Sequence, residues 1–220
     1  MKLPRTALIV LSLICLSALL AADSPAPDAN ADANSNALFN GKDLTGWWGD
    51  MNLWHVEDGQ IVGKTDTGIK KNEFLKSKKS YGDFRLVVKM KLVPDTANSG
   101  IQFHSDQYHD NEMSGPQADA GKGYWGNLYG ENFGNKTLQK NLAGEQVVKV
   151  EDWNTYEIVA VGSKIRTAMN GHLCVDVDDP KYVRTGMFGL QVHAGRATEV
   201  RFKDFEFEEN PKFELKTLKE

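Results

Sequence analysis

The sequence contains only two cysteines among its 220 residues, Cys15 and Cys174. Cys15 lies in an apolar N-terminal segment that we expect to be removed, so the mature chain would keep a single thiol and could form no internal disulfide. Cys174 lies in the apolar run from Leu173 to Val177, which no activating motif flanks, and this context is typical of a buried, inert thiol. The folded state must therefore be stabilised by a hydrophobic core.

The sequence has no excess of positive charge, and the common nucleotide-binding motifs are missing. The chain has 26 lysines and arginines against 30 aspartates and glutamates, which gives a formal net charge of −4 at pH 7. An acidic chain is repelled by a phosphate backbone unless its basic groups cluster. The sequence contains no Walker loop, dinucleotide-binding fingerprint or Gly-x-Ser-x-Gly elbow. We therefore expect neither a nucleic-acid partner nor a nucleotide cofactor.

The first 22 residues have the pattern of a secretory leader. Lys2 and Arg5 precede an apolar run of 14 residues, Ala7 to Leu20, which is followed by two alanines. A membrane span needs about 20 apolar residues, and a signal peptidase requires small residues after a shorter run. We predict that residues 1–22 are a cleaved signal peptide and that the mature protein is periplasmic or extracellular, without stable membrane insertion; a retained anchor is the alternative.

The remaining chain divides into three parts by composition. Residues 23–37 consist of Ala, Asp, Asn, Ser and Pro, so burial cannot offset the entropy of ordering them, and we predict a flexible linker. Residues 38–208 carry the hydrophobic pattern of one domain. Residues 209–220 include three lysines and are predicted to form a polar C-terminal tail.

The dominant hydrophobic period inside the domain is two. The clearest alternating segment has the apolar set Phe84, Leu86, Val88, Met90 and Leu92. Such alternation places one set of side chains on a single face of a β-strand. Asp58-Gly59 and Asn170-Gly171 separate shorter apolar runs and predict tight hairpin turns.

Near the C-terminus the alternation changes parity, because Phe205 and Phe207 break the parity that Val200 and Phe202 share. This change predicts a β-bulge around residues 203–204. No segment shows a sustained helical stripe, and many short strands separated by turns indicate two packed antiparallel sheets. We therefore predict an all-β sandwich; a closed β-barrel is the competing architecture.

Three predicted strands carry pairs of polar residues at positions i and i+2. The pairs are Gln102 with His104, Gln117 with Asp119, and Gln191 with His193. Period-two geometry puts each pair on one sheet face while the apolar neighbours fill the core. Amides that donate and accept hydrogen bonds, beside imidazoles and a carboxylate, suit a ligand rich in hydroxyl groups. The alternative is a solvated sheet face on which the pairs never meet.

The segment from Ala118 to Glu131 combines four glycines with Tyr124 and Trp125. Glycine lets the backbone come close to a ligand, and exposed aromatic rings offer apolar faces on which sugar rings can lie. This combination indicates the wall of a carbohydrate cleft. A loop whose aromatic side chains pack inward is the alternative.

Histidine and carboxylate residues are concentrated in the run from His104 to Glu112. Their spacing matches neither the helical zinc motifs nor the calcium-binding loops. A solvated loop is the simpler interpretation. The sequence leaves the metal ligands unknown and the need for a divalent cation open.

Several segments together resemble one known family. They include LFNGKDLTGWWGD from Leu38, WHVEDGQIVG from Trp54, YGDFRLVVKMKL from Tyr81, NSGIQFHS from Asn98, and GLQVHAG from Gly189. The series is similar to the 3-keto-disaccharide hydrolase family, also described as 3-keto-glucoside 1,2-lyase and 3-keto-2-hydroxy-glucal hydratase domains, over about residues 38–208. The resemblance implies a concanavalin A-like jelly-roll sandwich, bacterial secretion, and action on glycosides that a separate glycoside 3-dehydrogenase has oxidised at carbon 3.

The implied substrate leads to a hypothesis for the chemistry. A ketone at carbon 3 acidifies the hydrogen on carbon 2, so a base can remove that hydrogen and the enolate can expel the group on carbon 1. Water addition to the enone would complete hydrolysis. We assign His193 or Asp119 as the base, and His104 as a second acid/base or a metal ligand. The expected substrate contacts are Gln102, Gln117, Gln191, Tyr124 and Trp125.

A noncatalytic carbohydrate-binding module of the same fold is the competing interpretation. Both functions require aromatic rings and amides that contact a sugar. Only an enzyme also requires titratable groups that converge on one point. The positions of His104, Asp119 and His193 in the folded chain therefore bear directly on the choice.

Overall fold

The computed structural model describes residues 38–134, 136–140 and 143–219. The predicted signal peptide, 1–22, and linker, 23–37, lie outside these residues. Within the described ranges there is one short helix, α1 (Ala143–Val147), and the remaining regular structure is β-strand. No helix in this part of the chain is both long and apolar enough to cross a membrane.

The described strands form two seven-stranded antiparallel sheets. In chain order the strands are β1 (Trp47–Trp48), β2 (Trp54–Glu57), β3 (Gln60–Thr65), β4 (Glu73–Ser77), β5 (Phe84–Val93), β6 (Asn98–Gln107), β7 (Met113–Gly121), β8 (Leu128–Glu131), β9 (Lys136–Gln139), β10 (Asn154–Val161), β11 (Lys164–Met169), β12 (His172–Asp178), β13 (Met187–Val192) and β14 (Thr198–Glu209). Sheet A has the order β1-β4-β13-β6-β7-β8-β9, and sheet B has the order β12-β11-β10-β5-β14-β3-β2. The predicted all-β jelly-roll sandwich is confirmed, because the strands form two sheets packed face to face and not one closed barrel.

The hydrophobic core lies between the two sheets. The alternating set on β5 is buried there, and the aromatic rings of Phe84, Phe103 and Phe188 contact one another across the interface between sheets. Trp47 and Trp54 are also almost fully buried. The inner faces therefore carry the apolar half of each alternating pattern, and the polar half is left for the outer faces.

The predicted turns and bulge are present. Asp58-Gly59 joins β2 to β3 and Asn170-Gly171 joins β11 to β12, and all four residues have positive φ, as a type I′ hairpin turn requires. The pairing of β14 with β5 shifts register between Lys203 and Glu206. This bulge restores the inward orientation of the aromatic residues that follow it.

The C-terminal segment packs on the outer face of sheet B as far as the described residues extend. Leu215 contacts the buried side chains of Val159 and Ala168, and Phe213 packs beside them. The segment predicted from its lysines to be a polar tail therefore includes two apolar side chains, at positions i and i+2, that cover this face. Strand β14 itself ends at Glu209.

Candidate functional site

The polar residues of three neighbouring strands lie on the outer face of sheet A. Strand register places Gln102 on β6 opposite Gln117 on β7, and Asp119 on β7 opposite Gly100 on β6. Gln117 Nε2 donates hydrogen bonds to Asp119 Oδ1 at 3.0 Å and to Gln191 Oε1 on β13 at 3.3 Å. Side chains of β7 and β13 that the sequence spacing predicts separately thus form one hydrogen-bonded network, which Gln102 on the intervening β6 does not join.

Gly100 provides the space that this network needs. An ideal Cβ atom at Gly100 would lie 2.6 Å from Gln117 Cδ, so any larger residue would displace the amide. The Gln117 side chain lies over the glycine and reaches both hydrogen-bond acceptors. Glycine within a strand commonly marks such a close approach.

An open cleft of about 570 Å³ lies over this face of sheet A. Its lining includes Gln117, Asp119, Tyr124, Glu131, His193 and Arg196. The cleft therefore combines two carboxyl groups, an imidazole, a guanidinium, an amide and an aromatic ring. This is the composition expected of a site that both recognises a polar ligand and moves protons.

Asp119 is the most perturbed carboxyl group of the cleft. Its side chain is only 4% exposed, and burial raises its pKa to about 7, although the hydrogen bond from Gln117 acts in the opposite direction. The negative charge of Glu131 adds to the increase. A carboxyl group with a pKa near neutrality can act as a proton donor or acceptor at physiological pH.

His193 follows directly after β13 and is half-buried in the cleft lining. Its Nδ1 atom lies 2.7 Å from the backbone oxygen of Ala194. Because a carbonyl oxygen only accepts hydrogen bonds, Nδ1 carries the proton of the neutral ring and Nε2 keeps its lone pair. Nε2 is therefore the ring atom that can accept a proton.

Glu131 is a cleft residue that the sequence analysis missed. Asn72 Nδ2 donates a hydrogen bond to Glu131 Oε1 at 3.0 Å, and Asn72 Oδ1 accepts one from the backbone nitrogen of Ala194 at 2.8 Å. Burial raises the pKa of Glu131, whereas Asn72 and the nearby His193 oppose the increase. The signal that could have found Glu131 is its alternation with Tyr129, which lies opposite Gln117 on the same sheet face.

His104 lies apart from this group. Its backbone has a φ of 47°, and the pairing of β6 with β7 loses register between Gln102 and Asp106. The ring packs against Phe84 of the core, Nε2 lies 2.8 Å from the backbone oxygen of Gly82, and burial lowers the pKa of the imidazole. The expected pairing of His104 with Gln102 on one face fails because the irregular backbone interrupts the two-residue alternation.

The two predicted wall residues have different locations. Tyr124 lines the cleft and is 46% exposed, as expected for a ring that contacts a sugar. Trp125 is only 4% exposed and belongs to the hydrophobic core. The backbone nitrogens of both residues donate to Gly121 O, and this tight turn sends the adjacent side chains in different directions. Trp125 is therefore a core residue and not part of the wall.

Gln102 and Gln191 are fully buried and lie beside the cleft lining instead of within it. Among the described residues, no three His, Cys, Asp or Glu side chains lie close enough together to hold a metal ion. Within the predicted loop, Asp110 forms an ion pair with Lys71 and Glu112 accepts a hydrogen bond from Asn132.

The fold is a jelly-roll β-sandwich with a polar cleft on the outer face of one sheet. The sequence matches the model of the 3-keto-alpha-glucoside-1,2-lyase-like domain over residues 34–208. Because this match covers most of the chain, the protein belongs to that family, and the resemblance described above is confirmed. No curated protein matches the sequence.

Solved structures of similar fold support the architecture. A candidate glycosyl hydrolase from Parabacteroides distasonis ATCC 8503 aligns with a TM-score of 0.60 at 21% identity, over 79% of this chain and 93% of that chain. The carbohydrate-binding module CBM66 from Bacillus subtilis aligns with a TM-score of 0.57 at 21% identity, over 74% of this chain and 95% of that chain. At these identities the likeness establishes the fold alone.

Proposed function

We propose that the protein is an enzyme that cleaves glycosides carrying a ketone at carbon 3. The observation that carries this proposal is the presence of Asp119, Glu131 and His193 in the lining of one cleft, beside the amide of Gln117. Membership of the 3-keto-alpha-glucoside-1,2-lyase-like family supports the substrate class. The cleft lining also holds the two carboxyl groups that an ordinary glycosidase requires. Family membership is what favours an elimination, which needs one base and one group that stabilises an enolate.

The proposed reaction begins with proton transfer from carbon 2 to His193 Nε2. Asp119 in its neutral form donates a hydrogen bond to the ketone oxygen, where negative charge develops as the enolate forms. The enolate then forms the double bond between carbons 1 and 2 as the bond from carbon 1 to the aglycone oxygen breaks. The aglycone oxygen takes the proton from His193 and leaves as the alcohol. In the second step, water adds its oxygen to carbon 1 and a proton to carbon 2, which gives net hydrolysis.

Other residues of the cleft would support this reaction. Glu131, held by a hydrogen bond from Asn72, lies in the cleft within electrostatic reach of His193. Tyr124 would form one wall for the sugar ring.

The substrate chemistry requires a preceding oxidation. A ketone at carbon 3 arises by two-electron oxidation of the hydroxyl group there, and we assign this step to a separate glycoside 3-dehydrogenase on which the proposed enzyme depends. The predicted secretion places the protein in the periplasm or outside the cell, where glycosides arrive.

The purified protein incubated with a 3-keto disaccharide tests the proposal. We expect loss of the glycosidic bond, and we expect His193→Ala to slow this reaction by about 10²–10⁴-fold, the usual contribution of a general base. His172, an exposed histidine on sheet B, is the matched control, and His172→Ala should leave the rate unchanged. A parallel reaction with a chelator reports whether a divalent cation takes part. Full activity of His193→Ala would remove this residue from the mechanism.

Carbohydrate binding without catalysis is the second candidate function. The exposed ring of Tyr124 at the cleft favours it, because such a ring contributes to sugar binding whether or not a bond is broken. A pure binding module would retain the 3-keto disaccharide without cleavage, with or without chelator. In that case Tyr124→Ala would weaken retention, and His193→Ala would have no kinetic effect to measure.

A further inference from the structure

The polar floor of the cleft continues across sheet A beyond the cleft itself. Strand register places Gln117 opposite Gln102, Gln102 opposite Gly189, and Gly189 opposite Lys76. Residues that lie opposite one another on neighbouring strands project from the same face of a sheet. One row of side chains therefore runs from Gln117 in the cleft lining to Lys76 on β4, and Trp48 on β1 lies opposite Lys76.

The buried polar atoms of this face have few partners. Within the described ranges, the side-chain atoms here that make no hydrogen bond are Gln102 Oε1, Gln102 Nε2, Gln117 Oε1, Gln191 Nε2 and Lys76 Nζ. The side chains of Gln102, Gln191 and Lys76 are all 0% exposed. Orphaned buried polar groups are destabilising and rare in folded proteins. Their concentration on one face indicates a surface that a hydroxyl-rich ligand satisfies.

A short surface segment covers the middle of the row. Residues 106–110 of this segment are exposed, whereas Met113 at its end is fully buried. An ideal Cβ atom at Gly189 would lie 2.2 Å from Met113 Sδ, so the methionine fills the space above the glycine. Further along, Asp110 is held by an exposed ion pair with Lys71, and such pairs contribute little stability. Met113 is thus the buried anchor of the cover.

We propose that Gln102, Gln191 and Lys76 form a second sugar subsite, which joins the cleft when Met113 leaves Gly189. The amides donate to and accept from the hydroxyl groups of a second sugar residue. Trp48, half-buried and with Lys76 Nζ 4.2 Å from its ring centre, borders the far end. The subsite favours a disaccharide over a glucoside with a small aglycone. This inference rests on the carbohydrate function proposed above.

Binding measurements with two unoxidised sugars test the subsite without requiring catalysis. Calorimetric titration of the wild-type protein with maltose and methyl α-glucoside should show tighter binding of maltose. Gln102→Met keeps the approximate shape of the side chain but removes both amide atoms. It should weaken maltose binding about tenfold, the effect of losing roughly one to two hydrogen bonds, while methyl α-glucoside binding changes by less than about twofold.

Two further variants separate a subsite from a general packing effect. Thr167 on sheet B also has a buried hydroxyl without a partner among the described residues, so Thr167→Val is the matched control and should leave the ratio of the two affinities unchanged. Met113→Ala removes the anchor of the cover and should strengthen maltose binding alone. An unchanged ratio in Gln102→Met, or an equal loss for both sugars, would overturn the proposal.

Kinetic measurements distinguish this inference from the proposed reaction. With the 3-keto forms of maltose and methyl α-glucoside, Gln102→Met should lower kcat/KM for the disaccharide about tenfold and for the methyl glycoside less than about twofold. If the wild-type protein cleaves neither compound, the proposed reaction fails, and the two affinities still decide the subsite. If it cleaves both equally well and binds maltose no tighter, the subsite alone fails.

Discussion

Each sheet buries polar groups on its outer face, but the two faces differ in how many hydrogen bonds those groups make. On sheet B the carboxylate of Glu157 accepts hydrogen bonds from Arg85 Nε at 2.5 Å, from the backbone nitrogens of Lys216 and Thr217 at 2.9 Å each, and from Thr217 Oγ1 at 2.6 Å. On sheet A, Gln102 is buried to the same extent and forms no side-chain hydrogen bond within the described part of the chain. The fully hydrogen-bonded carboxylate of Glu157 has a structural role, whereas the cluster of unpartnered amide atoms beside the cleft of sheet A supports the proposed ligand site.

The chemical identity of the buried groups matches this difference. Burial alone would raise the pKa of Glu157, but hydrogen bonds from Lys216, Thr217 and Arg85 outweigh burial and hold the pKa below its ordinary value. A charged group left without partners would be far more costly than a neutral amide. Sheet A leaves amides without full partners, which the fold can tolerate, and its buried ammonium group, Lys76 Nζ, makes no hydrogen bond within the described residues but lies 4.2 Å from the ring centre of Trp48. Sheet B surrounds the carboxylate of Glu157 with hydrogen-bond donors.

We expect the largest loss of stability from a substitution at Glu157, the fully hydrogen-bonded carboxylate on sheet B. Glu157→Gln leaves the buried Arg85 without its counter-charge, so the free energy of unfolding should fall by about 3–5 kcal/mol. Urea denaturation followed by tryptophan fluorescence measures this loss. Glu206→Gln, at an exposed position on β14, is the control and should change stability by less than about 0.5 kcal/mol. A loss below about 1 kcal/mol for Glu157→Gln would show that the hydrogen bonds to the C-terminal segment, and not the charge, hold this site together.

Much of this architecture could be predicted from alternation along the chain. The sandwich, both hairpin turns and the bulge on β14 follow from a period of two and from turn residues, because these are local properties of sequence. The pairs Gln117 with Asp119 and Gln191 with His193 project from the face where the pattern places them. The contact between Gln117 and Gln191 depends on strand order, which alternation does not specify.

The errors have equally specific causes. The alternation predicts His104 on the same face as Gln102, but its positive φ turns the side chain away from that face. The sequence predicts Trp125 in the cleft wall, but a tight turn directs its side chain away from that of Tyr124. Glu131 was overlooked because the strand that carries it has only four residues, too few to show a clear period. Glu157 was overlooked because its partners lie about 60 or more residues away in sequence, and no local pattern reports such a pairing.

Asp119 on sheet A should make the stability of the protein depend on pH. Burial raises the pKa of Asp119 to about 7, whereas an unfolded aspartate titrates near 3.9. Between about pH 4 and 7 the folded state binds more protons than the unfolded state, so the free energy of unfolding falls as the pH rises through this window. Asp119→Asn removes this proton linkage. The free energy of unfolding of Asp119→Asn, taken relative to that of the wild-type protein, should increase by roughly 2–4 kcal/mol from pH 4 to pH 8, since one pKa unit is worth about 1.4 kcal/mol.

Urea denaturation at several pH values between 4 and 8 measures the effect of Asp119→Asn. Asp66→Asn is the control, because the side chain of Asp66 is 84% exposed and its substitution should leave the shape of the stability curve unchanged. Glu157 on sheet B makes stability depend on pH in the opposite direction, because its lowered pKa gives stability that is lost as the pH falls. Parallel stability curves for the wild-type protein and Asp119→Asn would mean that Asp119 is ionised throughout, and it could not then be the proposed proton donor.

The smallest expected effect on stability comes from crowding the open face. At Gly100 an added methyl group would lie 2.6 Å from Gln117 Cδ, which belongs to the flexible end of a side chain and can move away. Gly100→Ala should therefore cost only about 1 kcal/mol of stability.

The displaced amide would lose its hydrogen bonds to Asp119 and Gln191, and the pKa of Asp119 would rise further because the bond from Gln117 lowers it. We expect cleavage of the 3-keto disaccharide to slow about tenfold, with the pH–rate profile moved to higher pH. Gly82→Ala is the control, because its methyl group would meet only Thr185 Cγ2 at 3.8 Å, and it should leave the cleavage rate and the pH–rate profile unchanged. If Gly100→Ala slows cleavage but leaves the pH–rate profile in place, Gln117 contacts the sugar without changing the pKa of Asp119.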